Sequence, residues 1–170
     1  DNNTTNGNAK FLRANRFQVT QPSGGLFNQT NDTICLACHD KGGVAWAYSA
    51  HANSTVATQT YKGAAATQRE FPLNGANGPP VWQVACLNCH DTHTVQGARR
   101  LLREGTDSPL SPKDGGNPAL EETCYQCHQI SAGSAVNNTA LTANAVPDIK
   151  TDFELARRMP IKTVATEVHD

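Results

Sequence analysis

The sequence predicts a mostly irregular chain with short α-helices at three repeated motifs and little or no sheet. Two observations lead there. The string C-x-x-C-H occurs three times, as Cys35/Cys38/His39, Cys86/Cys89/His90 and Cys124/Cys127/His128, and it uses all six cysteines. The 170 residues are also lean in core-forming side chains, at 38% hydrophobic and 6% aromatic. C-x-x-C-H is the attachment signature of a c-type haem. Haem would supply the missing apolar mass, so the expected fold is haem-organised.

The motif follows from geometry. One helical turn puts both thiols on one face, where they can bond the two vinyl groups of a porphyrin. The next residue, His, then lies under the ring and can ligate the iron. A zinc site or redox dithiol is the plainer reading of C-x-x-C. Zinc would pair two strings and strand the third, and neither alternative explains a histidine at the same place each time.

Taken in order, 1–33 reads as an N-terminal arm without haem ligands. Phe11–Gln21 carries apolar points at Phe11, Leu12, Phe17 and Val19, as in a short strand or arm. Thr33 is placed to cap a short helix over Cys35–His39. The stretch 40–85, rich in Ala, Thr and Gly, reads as a long, mostly irregular loop wrapping porphyrin. Ala98–Glu104 has helical composition, with Leu101 and Leu102 expected to be buried. Glycines and prolines from Gly105 to Pro118 mark a loop. Ala119–His128 reads as a helix bearing the third motif, with Glu121 and Glu122 suiting its first turn. Pro147 is placed to start a helix through Arg158 that Pro160 ends. The haem-binding core is 34–130, and 131–170 is a C-terminal extension with a short helix and a terminal histidine.

Three irons need three proximal ligands, and His39, His90 and His128 supply them. The remaining histidines are His51, His93 and His169, one for each open position. Bis-histidine, low-spin iron is expected throughout. Met159, the single methionine, is the rival ligand, but beside Pro160 it suits packing. His51 has enough chain behind it to return over haem 1 or to reach a neighbouring haem. Only Asp91 and Thr92 separate His93 from His90, too few to pass around the ring, so His93 should serve haem 1 or haem 3. His169 could close haem 3 or reach another protomer. Filled axial positions leave no place for substrate on iron, so the chain is expected to be an electron carrier and not an enzyme. Potentials should lie low within the roughly 0.8 V axial-ligand range.

Cys35-Leu-Ala-Cys-His-Asp, Ser49-Ala-His51, Ala85-Cys-Leu-Asn-Cys-His-Asp-Thr-His93 and Glu122-Thr-Cys-Tyr-Gln-Cys-His128 resemble the multihaem cytochromes of metal-reducing and other anaerobic microbes. The C-x-x-C-H-x-x-H string resembles doubled-motif cytochromes and the subunits of extracellular cytochrome filaments. The resemblance covers Cys35 to His128. It implies a multihaem cytochrome c fold. In filaments it implies one continuous haem stack, with one haem per subunit taking its distal histidine from the next subunit. Here that role would fall on His93, His51 or His169. The departure is haem number, since filament subunits of this pattern carry four or more.

The expected function is electron transfer through three closely spaced covalent haems c, as the subunit of an extracellular conductive filament. The alternative is a soluble periplasmic trihaem shuttle, but such proteins tend to be shorter and Lys-rich. Expected partners are other copies of the chain and redox proteins or extracellular acceptors. A net charge of −1 gives no case for nucleic acid or an anionic membrane. Covalent haem attachment occurs outside the cytoplasm, so the chain is expected to be exported. It reads as a mature form without a leader. There is no apolar run near the ~18 residues of a membrane span.

Overall fold

A computed structural model describes Leu12, 14–39, 45–91, His93, 101–103, 122–137 and 146–154. The chain divides into two compact units, Asp1–Cys86 and Leu87–Asp170. Most described residues are coil, as expected, with short helical turns and one small sheet. No helix among them is long and apolar enough to cross a membrane.

In the first unit the stretch expected to be loop contains a small scaffold. Strand β1 (Thr60–Lys62) pairs antiparallel with β2 (Asn77–Pro80), with Thr60 opposite Pro80 and Lys62 opposite Asn77. Helix α1 (Gly63–Gln68) follows β1, and α2 (Val81–Val84) follows β2. The helices are too short for their periodicity to be visible in so Ala- and Gly-rich a sequence. Two glycines permit the packing. A Cβ on Gly78 would lie 2.5 Å from Ala66 Cβ and 3.1 Å from Tyr61 Cβ, and one on Gly63 would lie 2.5 Å from the Ala76 carbonyl oxygen.

The core of this unit is Tyr61, Ala66, Phe71, Val81 and Val84. Phe71 meets Tyr61 edge-on at 5.1 Å and Phe17 edge-on at 5.7 Å between ring centroids. Phe17 belongs to the N-terminal arm, so the arm is part of the unit's packing. Asn15 forms a parallel bridge with Thr33, and the Gln18 amide donates to the Gln83 carbonyl at 2.8 Å.

In the second unit α3 (Glu122–Tyr125) opens the third motif and α4 (Ile149–Glu154) lies in the extension. Helix α4 starts after Pro147. The Asp148 carboxylate accepts from the Thr151 amide at 3.1 Å, so Asp148 is the cap. The Leu101–Leu102 pair departs from expectation. Leu101 has φ 58° and is 47% exposed, while Leu102 bridges His90 in extended form. At Leu102 an extended bridge to the motif stands where composition favoured helix, and 98–100 and 104 lie outside the described residues. The rest of 94–100, 104–121 and 155–170 lies outside the described residues, including Met159, His169 and the expected end of the last helix.

Candidate functional site

Motifs one and three close the turn that the spacing implies. The His39 amide donates to the Cys35 carbonyl at 3.0 Å, and the His128 amide to the Cys124 carbonyl at 2.9 Å. Each bond spans four residues and brings the first cysteine and the histidine onto one side of a turn. Motif one sits on a 3-10 turn over Ile34–Ala37. Thr33 precedes it but makes no side-chain cap. Its hydroxyl donates instead to the Arg16 carbonyl at 3.1 Å and contacts Cys35 Sγ at 3.6 Å. The arm has taken the group that would have capped the helix.

Gln18 explains the arm's hold. It is fully buried. Its Nε2 donates to the Asn31 carbonyl at 3.1 Å and to Asp32 Oδ1 at 2.8 Å, and its Oε1 accepts from the Thr33 amide at 3.4 Å. With its own amide on Gln83, one residue braces the chain entering motif one and the helix leading to Cys86.

That bracing accompanies a close pair of sulfurs. Cys35 is hydrogen-bonded to Cys86, which is the first cause holding its thiol down to about 6, against the effect of burial. Cys124 stands near Cys89 in the second unit. Desolvation and then repulsion from Cys124 push the Cys89 thiol up to about 11, against the pull of Arg103. The first motif thus meets the second through Cys35 and Cys86, and Cys124 of the third motif lies close enough to Cys89 of the second to act on its charge.

Motif two is entered through a strained residue. Ala85, at φ 55° and ψ −128°, joins α2 to a 3-10 turn over Ala85–Asn88. Its far side is held by 101–103. The Arg103 amide donates to the Cys89 carbonyl at 2.6 Å and the Asp91 amide to the Leu101 carbonyl at 2.8 Å. Gln126 donates from Nε2 to the Asn88 carbonyl at 2.9 Å, tying motif three to motif two.

His128 shows how a ligand ring is prepared. Its Nδ1 lies 3.0 Å from the Pro147 carbonyl oxygen. A carbonyl only accepts, so Nδ1 carries the proton and Nε2 keeps its lone pair for a metal. The Lys150 amide donates to the His128 carbonyl at 3.0 Å. The extension therefore orients both the ring and the backbone of this histidine.

Of the other histidines, His39, His51, His90 and His93 are exposed. His51 lies in a 3-10 turn over Ala50–Ala52 capped by Ser49, whose oxygen accepts from the Ala52 amide at 3.2 Å. The His93 amide donates to Asp91 Oδ1 at 2.8 Å, a local turn that redirects the chain just beyond His90.

These residues fit a covalently held porphyrin. None of the six cysteines is in a disulfide, although Cys35 and Cys86 touch. In the first and third strings the backbone turn joins the first cysteine to the histidine. The Trp46 indole N–H is buried with no acceptor among the described residues, and a porphyrin carboxylate is the kind of group that would complete it. Gln18, Asp91 and Arg103 had no site role in the sequence reading, and Pro147 was expected only to start a helix. An aspartate directly after His39 and again after His90 is the one signal that could have drawn attention to Asp91.

The family described as cytochrome c554 and c-prime matches residues 34–109, taking in the first two motifs and leaving the third outside. The multiheme cytochrome MtrA of Shewanella baltica (strain OS185) is 25% identical over 130 residues, covering 64% of this chain and 35% of that protein. The chain thus spans 35% of that relative's length. No solved structure matches.

Proposed function

We propose that this chain, a multihaem c-type cytochrome, carries electrons through three bis-histidine haems as the subunit of an extracellular filament. Covalent haem c and electron transfer are the properties of its kind. The number of haems, their ligands and the assembly belong to this proposal. Each bound haem supplies an iron that alternates between ferric and ferrous states.

The protein's part is to anchor, orient and space. Cys35 and Cys38, Cys86 and Cys89, and Cys124 and Cys127 would hold the three porphyrins as thioethers. His39, His90 and His128 would be the proximal ligands, and His51, His93 and His169 the distal ones. The observation that carries the reading is the contact between successive motifs, through the Cys35–Cys86 hydrogen bond and through Gln126, which donates to the Asn88 carbonyl at 2.9 Å. Porphyrins anchored at neighbouring sulfurs have neighbouring edges, which favours rapid transfer. Proton-bearing Nδ1 of His128, held by the Pro147 carbonyl, supports a ligating Nε2.

Export, and an extracellular place for the assembly, follow from covalent haem attachment and the filament reading. Some large apolar side chains stand at the surface. Leu26 is 98% exposed, and Tyr48, Leu73 and Ile130 are also exposed. Redox proteins or extracellular acceptors would stand at the ends of the path. Negative-stain imaging of the haem-loaded protein tests the assembly, with filaments expected. Monodisperse small particles under all conditions would favour a soluble periplasmic shuttle. Haem stoichiometry by mass tests the count, with three expected.

A further inference from the structure

The segment 101–103 carries an arginine whose environment the electron-transfer reading does not yet use. Arg103 is 6% exposed. Its Nη1 lies 2.7 Å from Asp91 Oδ2. Its Nε donates to the Leu87 carbonyl at 3.2 Å and its Nη2 to the His90 carbonyl at 3.4 Å. Its backbone amide holds the Cys89 carbonyl. Three backbone carbonyls of motif two, including that of its histidine, therefore converge on one residue.

The other end of the ion pair continues the chain of contacts. Asp91 uses Oδ2 for Arg103 and Oδ1 for the His93 amide at 2.8 Å. One guanidinium thus reaches His90 directly and His93 through a single carboxylate. Arginine suits this arrangement because its planar fork offers five donors and stays charged. Hydrophobic replacement of a buried ion pair is often neutral or stabilising. Fold stability alone is therefore a weak reason for a charge at this place, and orientation of ligands is a stronger one.

We infer that Arg103 is a positioning residue for two haems at once, fixing His90 on haem 2 and, through Asp91, His93 on a neighbouring haem. The inference rests on the reading that His90 and His93 serve different irons. Tilting a ligating imidazole changes its bond to iron and the potential of that iron. Loss of Arg103 should therefore appear at two redox centres and leave the third unchanged.

The experiment uses the full haem-loaded chain and compares wild type with Arg103→Gln, Arg103→Lys and His93→Ala. Haem attachment is read by mass, coordination by optical and EPR spectra, and potentials by spectroelectrochemical titration. His93→Ala should turn one haem high-spin, which identifies the His93 haem. If no high-spin haem appears, the ligand reading fails, whatever Arg103 does. Arg103→Gln should keep all haems attached while shifting two components of the titration, one of them the His93 haem. Arg103→Lys keeps the charge beside Asp91 but lacks the fork that reaches the carbonyls of Leu87 and His90. It should shift at least a component other than the His93 haem. With His93→Ala behaving as stated, wild-type potentials in Arg103→Lys, or a change at a single haem in Arg103→Gln, overturn the inference. If Arg103→Gln takes up no haem, Arg103→Lys decides alone.

Discussion

Gln18 has no ligand chemistry, yet it sits where the first two motifs are brought together. Its amide side chain is buried and serves three partners on residues 31–33. Removing it takes the Gln18 acceptor from the buried Thr33 amide, while the Asn31 carbonyl keeps the Val19 amide. Gln18→Ala should lower stability by about 1–3 kcal/mol, the cost of unsatisfied buried groups, read as a shifted denaturation midpoint with unchanged haem content. A loss within about 0.5 kcal/mol, the range of an ordinary surface substitution, would show that the arm is held by Phe17 packing instead. Ala85 is a second such residue. A β-branched side chain at positive φ is a strong outlier, so Ala85→Val should cost about 1–3 kcal/mol. Ala85→Gly, which accepts that backbone freely, should stay closer to wild type in the same unfolding measurement.

At the scale of elements, the β1–β2 pair and the two helices beside it form a platform under the run-in to motif two. The platform depends on close approach more than on large side chains. Helix α1 lies so near β2 that Gly78 has no room for a methyl against Ala66. Gly78→Ala should therefore destabilise by about 1–3 kcal/mol, the usual cost of overpacking. Adding Ala66→Gly should recover part of that loss, because the clash is with Ala66 Cβ. A double variant no better than Gly78→Ala would place the strain in the backbone. The 101–103 segment is the corresponding brace in the second unit, bridging His90 through Leu102 and gripping it through Arg103.

At the scale of the molecule, the protein part contributes a modest apolar core. Its largest fully buried side chains include Tyr61 and Val84, and Leu26, Tyr48 and Ile130 remain at the surface. Among the described residues, that balance leaves apolar surface for the proposed haems to cover. If His169 ligates a haem of the next copy, His169→Ala should abolish filaments while the separate subunits keep all their haems. Negative-stain images and haem mass would read both outcomes. Unchanged filaments would remove His169 from that role.

The sequence by itself determined the motifs and their local turn. C-x-x-C-H is a local pattern, and one turn of backbone joins its first cysteine to its histidine, as the His39–Cys35 and His128–Cys124 backbone bonds show. Lean composition likewise determined a chain dominated by coil. What only the tertiary structure decided is how the motifs are held. The Cys35–Cys86 contact and the grip of Gln18 join residues far apart in the chain, and no spacing encodes them. Leu101 and Leu102 had helical composition, but Leu101 takes a positive φ and Leu102 forms a bridge to His90 beside the Arg103 ion pair. Pro147 looked like a helix start and became the acceptor that orients His128. Local geometry is set by neighbours in sequence, whereas the hydrogen bonds that aim a ligand come from whichever residue the fold brings alongside.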